Sequence, residues 1–134
     1  MTAGYSGTPL PKKLGLKPGI RAAAVHAPKH YSRLHGPLPG IRIASRLSRG
    51  LDFVHAFFTS PARLAAEFPR LKASLTPAGM LWISWPKKTS RIPGDIDESI
   101  VRNVGLRNGL VDVKVCAVDE GWSGLKFVYR LKDR

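Results

Sequence analysis

The sequence predicts a single-domain α/β protein with a mostly parallel sheet, helical crossovers and an antiparallel pair of strands at the C-terminal end. Three observations carry this. Leu51–Phe58 (LDFVHAFF) and Met80–Trp85 (MLWISW) are nearly unbroken apolar runs, as parallel strands covered on both faces are. Between them Leu64, Phe68, Leu71 and Leu75 recur at +4, +3 and +4, one stripe of a helix. Finally, Val111–Val118 and Leu125–Lys132 alternate and are joined by the short connection Asp119–Gly124, the pattern of a hairpin. A chain of 134 residues makes one domain and can bury a core without disulfides or metals.

Taken in order, residues 1–19 (MTAGYSGTPLPKKLGLKPG) read as an extended basic arm punctuated by Gly and Pro, with Tyr5, Leu10, Leu14 and Leu16 as anchors to a body spanning 20–134. Ile20–His26 is apolar but for Arg21 and makes a first strand. Pro28 opens a short helical stretch to about Leu34, closed by Gly36-Pro37, and Ile41–Ser45 makes a brief strand. After Leu51–Phe58, Ser60-Pro61 supplies an N-cap and a first helical position where proline's missing N–H costs nothing. Pro69 predicts a kink or break at Phe68. Pro77 and Gly79 lead into the Met80–Trp85 strand, and Pro86 stops it. Asp95–Asn108 reads as a helix with Ile96, Ile100, Val101 and Val104 on one face and Gly109 at its end. Val111, Val113, Val115 and Ala117 then share a face, and Leu125, Phe127, Tyr129 and Leu131 point inward.

The charge is uneven. The chain has 22 Lys+Arg against 9 Asp+Glu, a net charge of +13. Residues 1–50 hold nine basic side chains and no acidic one, 51–94 hold six and two, and 95–134 hold seven of each. The apolar runs are far shorter than the ~18 residues of a membrane span. No secretory h-region is present, and the early Gly and Pro residues preclude an amphipathic transit helix, so the expected location is cytoplasmic. The single cysteine, Cys116, excludes an internal disulfide framework.

From Leu51 onward, LDFVHAFF, SPARLAAEFPRLKASL, LTPAGMLWISW, DIDESIVRNVGLRNG and the closing hairpin resemble the second half of a class I S-adenosylmethionine (SAM)-dependent methyltransferase. The resemblance implies a Rossmann-like, truncated methyltransferase-like fold. In addition, YSGTPLPKKLGLKPG, GMLWISWPKK and GLVDVKVCAVDEGWSGLKFVYR are similar to a small bacterial family of unknown function, a likeness that brings no activity or catalytic residue with it.

The methyltransferase resemblance also implies a glycine-rich loop after the first strand and an acidic residue after the second, much as dinucleotide folds require. Here the first strand runs into His26-Ala27-Pro28-Lys29-His30-Tyr31, and the second ends in Ser45-Arg46 with no acid before Asp52. The expectation is therefore no cofactor, SAM being disfavoured. In a parallel sheet, ligands bind beyond the carboxyl ends of the strands. Those ends supply His26, Lys29 and His30, then Thr59 and Ser60, then Trp85, Lys87 and Lys88: a cationic, hydrogen-bonding rim. Equally, the lysines are a solvated surface, Ser60 is only a cap, and His55 is a core histidine. His26, His30 and His35 have no carboxylate within the first 51 residues to complete a metal site, and none is expected. No base stands near Cys116, so no nucleophile, and no catalytic residue, is assigned.

The expected function is a non-catalytic methyltransferase-like domain binding an anionic ligand (a nucleotide, a phosphorylated metabolite or nucleic acid) at that rim. The alternatives are a SAM-dependent methyltransferase with an atypical cofactor pocket and a homodimeric interaction module whose arm packs on a second copy.

Overall fold

One six-stranded sheet runs through the protein in the order β2-β1-β3-β4-β6-β5. The computed structural model describes residues 8–134. The strands are β1 (Arg21–Val25), β2 (Arg42–Ala44), β3 (Leu51–Phe57), β4 (Leu75–Pro86), β5 (Leu110–Ala117) and β6 (Trp122–Tyr129). The pairs β1/β2, β1/β3 and β3/β4 are parallel; β4/β6 and β5/β6 are antiparallel. This is the mixed α/β sheet with an antiparallel C-terminal pair that the alternation predicts.

Helices cover both faces. On one, α3 (Pro61–Ala73) and α4 (Glu98–Arg107) bury Leu64, Phe68, Leu71, Val101 and Val104 against Val54, Leu81, Ile83, Leu125 and Phe127. On the other, α1 (Leu10–Leu14) and α2 (Tyr31–His35) pack with Phe53, Phe57, Trp82 and Trp122. Fully burying each large apolar side chain contributes roughly 1.5–3 kcal/mol.

The described part of the basic N-terminal stretch is not extended. Pro11 allows a first helical turn in α1, Gly15 at φ 87° closes it, and Leu10, Leu14 and Leu16 are buried. The carbonyl of Leu14 accepts a hydrogen bond from Trp82 Nε1 at 2.9 Å, tying this helix to the sheet. Tyr5 lies outside the described residues.

Four further expectations are corrected. First, α3 runs through Pro69 to Ala73 unbroken. Pro69 and Ala65, whose carbonyl the proline leaves without its helical donor, both face solvent. Second, β4 begins at Leu75, pairing with Leu51 before a register shift, so Pro77–Gly79 lie inside the strand. Third, β5 presents Val113 and Val115 to solvent, 55% and 48% exposed, and buries Cys116. A shift in register between Asp112 and Lys114 breaks the alternation. Fourth, Leu131 belongs to a 3₁₀ turn and is exposed.

α4 starts three residues later than the charge pattern predicts because Asp97 is its cap, accepting a hydrogen bond from Ile100 N at 2.9 Å. Asp97→Ala is expected to cost about 1 kcal/mol. In a thermal melt the midpoint should fall by about 3–6 °C; an unchanged midpoint would refute the capping role.

Candidate functional site

Strand order reverses between β1 and β3: the chain leaves β1 toward β2 on one side and leaves β3 toward β4 on the other. In open α/β sheets the crevice beyond the carboxyl ends at such a switch point is where ligands bind. The structure sets His26 after β1, Thr59 and Ser60 after β3, and Lys87 after β4, all on this carboxyl edge.

His26 makes the first turn. It is the one non-glycine residue with positive φ, 56°, among those described. An L-residue there costs roughly 1–2 kcal/mol relative to the ordinary regions. Its ring is tied to α3 and to the end of β3: Nε2 lies 2.8 Å from Glu67 Oε1, and the ring meets Phe58 edge-on. Burial alone would raise the Glu67 pKa, but hydrogen bonds from His26 and Arg63 outweigh it and hold the carboxyl below its ordinary value. His30 Nε2 reaches Asp119 Oδ2 at 3.2 Å, joining the same loop to the β5–β6 turn. Asp119 Oδ1 also accepts from the backbone N–H groups of Gly121 and Trp122.

Around β3, Ser60 Oγ accepts from Arg63 N at 3.3 Å, so it caps α3. Thr59 is exposed, and its carbonyl accepts from Asp95 N. Lys29 and Lys88 are exposed and Lys87 is half-buried. Trp85, Lys87 and Lys88 line one cavity of about 430 Å³ with Ile96, Asp97 and Ser123. The remaining rim residues do not line it. Trp85 does not reach solvent as a rim residue should; it is 5% exposed and belongs to the α3–α4 core.

Cys116 is buried, which pushes its thiol up despite the opposing influence of Lys13, Lys114 and Lys87. A protonated buried thiol is no nucleophile. His55 is fully buried beneath the edge, with Tyr31 Oη 3.0 Å from Nδ1 and Ser84 Oγ 2.7 Å from Nε2. Sequence reasoning reaches His55 as a core histidine but not its partners, which lie 24 and 29 residues away.

No family model and no curated protein matches the chain. Solved structures do. A SAM-dependent methyltransferase from Aquifex aeolicus is 18% identical, with a TM-score of 0.59 over 87% of this chain and 85% of that one. Aeropyrum pernix fibrillarin, solved with natively bound SAM, is 15% identical, with a TM-score of 0.59 over 93% and 70%. Magnesium protoporphyrin IX methyltransferase from Synechocystis PCC 6803, solved with S-adenosylhomocysteine (SAH), is 12% identical, with a TM-score of 0.55 over 84% and 75%.

The expectation of no cofactor is thereby overturned, since the structural neighbours include proteins solved with SAM or SAH bound. The chain's own residues fit that group incompletely. The turn after β1 is made without glycine by left-handed His26, and the carboxyl end of β2 offers Ser45 and Arg46 where a carboxylate would hold the ribose. Among the described residues no helix is long and apolar enough to cross a membrane. At these identities the likeness establishes one thing, the fold: a Rossmann-like, methyltransferase-like sheet with an antiparallel C-terminal pair.

Proposed function

We propose that this protein is a SAM-dependent methyltransferase with an atypical cofactor pocket. The carrying observation is the switch point between β1 and β3, with His26 and Ser60 at its two lips. SAM would supply an electrophilic methyl group on a sulfonium centre. The chain's part is to hold and orient its ligands: His26 fixes the β1 turn against Glu67, and His30 clamps the far side of the loop to Asp119. The cationic rim of Lys29, Lys87 and Lys88 favours an anionic acceptor.

Calorimetric titration of the full chain tests the reading. Saturable heat with SAM, competed by SAH, is expected; the absence of heat with either compound removes it.

One observation favours a second reading, an anion-binding domain of the same fold. Lys29, Lys87 and Lys88 take part in none of the ion pairs found among the described residues. Binding of a nucleotide without SAM, abolished by K87Q/K88Q, would select it.

A further inference from the structure

Residues 45–50 carry the chain from the end of β2, across β1, to the start of β3. Crossovers between parallel strands usually take a dozen or more residues and include a helix. Six residues leave room for none. Leu47 packs onto the α3-side core, while Arg42 and Ala44 of β2 stay exposed. Between this connection and the last turn of α3 lies a cavity of about 520 Å³, bordered by Val25, Ser45, Arg46, Arg49, Arg70 and Ser74.

Three arginines thus line one concavity, all of them solvent-exposed, and no carboxylate lines it. The sequence supplies few that could. Residues 1–50 contain none and residues 51–94 contain two, Asp52 and Glu67. Both are engaged elsewhere: Asp52 accepts from Arg21 N and Thr76 Oγ1, and Glu67 holds His26 and Arg63. None of the ion pairs among the described residues includes Arg46, Arg49 or Arg70.

Like charges gathered around a cavity repel one another, and a bound anion reverses the sign of that energy. Guanidinium groups present paired donors that match phosphate oxygens. Val25 and Ala73 add apolar lining, and the volume is that of a small-ligand site. We infer that this groove binds a phosphate ester, its source a free nucleotide or one phosphate of a polynucleotide. The inference does not rest on the methyltransferase reading: Arg46 also stands at the carboxyl end of β2, so SAM is titrated into R49Q/R70Q, which spares it, to report that site separately.

The test titrates AMP and a short single-stranded RNA into wild type, R46Q/R49Q/R70Q, and R107Q on the exposed surface of α4. The better-bound probe is expected to lose at least about tenfold in affinity in the triple variant. R107Q should match wild type. A free nucleotide as the source gives measurable AMP binding; a polynucleotide gives RNA binding that falls steeply between about 50 and 200 mM salt. Circular dichroism checks folding, and if the triple variant unfolds, R70Q alone should show about a threefold loss. No binding of either probe to wild type, or equal binding by wild type and the folded variant, overturns the assignment.

Discussion

Alanine at Gly105 is expected to destabilise the protein by about 3 kcal/mol, the upper range for overpacking a core. On an exposed helix the same change would stabilise by about 1 kcal/mol. The sign is reversed by Phe127. A Cβ on Gly105 would overlap the Phe127 ring, coming within 2.6 Å of its Cδ1. That ring is fully buried and is backed edge-on by Phe68, with centroids 5.6 Å apart, so it has little room to retreat. The thermal midpoint should drop by about 10 °C. G105A/F127L should recover part of the loss, because leucine vacates the space the new methyl needs. A midpoint at or above wild type in G105A would sink this account of the α4–β6 contact.

The second large effect is on acid stability. Burial pushes the His55 pKa down to about 3, with a smaller contribution from the charge of His35. The neutral ring offers one N–H and one lone pair, and the hydroxyls of Tyr31 and Ser84 can serve either role, so both nitrogens are satisfied. Burial also raises the Tyr31 pKa, keeping its phenol protonated.

In the unfolded chain His55 returns to its ordinary value of 6.5. Below that pH the unfolded state binds a proton that the folded state refuses. Stability from this source is therefore fully present above pH 6.5 and is lost as pH falls toward about 3. The loss amounts to several kcal/mol. Urea melts across this interval should show the decline, and His55→Gln should flatten it while lowering stability at neutral pH. An equally steep decline in the glutamine variant would assign the effect to other groups, Glu67 among them, whose lowered pKa acts below its ordinary 4.5.

What the sequence makes legible follows from where the constraint is local. The runs at Leu51 and Met80 are nearly unbroken in apolar character because β3 and β4 are covered on both faces, so their identity as inner strands can be read directly. Ser60-Pro61 marks the start of α3 because a cap needs only its own next few residues. Pro69 misleads because the cost of a helical proline depends on whether the bereft carbonyl can reach water, which only the fold decides. The outward face of β5 misleads for a similar reason: one irregularity between Asp112 and Lys114 reassigns the residues beyond it. The basic rim is legible as a set of strand ends but not as a set of contacts. Trp85 turns into the core, and His26 and His30 find carboxylates 41 and 89 residues away. The arginine groove is illegible altogether, since Arg70 joins Arg46 and Arg49 only through the short β2–β3 connection.

The position of β6 between β4 and β5 sets an order of events during synthesis. β5 is synthesised before β6, the one strand it pairs with among the described residues, and β4 has an open edge facing it that it does not occupy. Until Trp122–Tyr129 emerges, two ribbons of unpaired backbone coexist in one nascent chain, and the core lacks Leu125 and Phe127. Closure of the sheet is therefore a late, single insertion rather than a progressive zipping, and until β6 is in place the open edges of β4 and β5 are the chain's most adhesive surfaces.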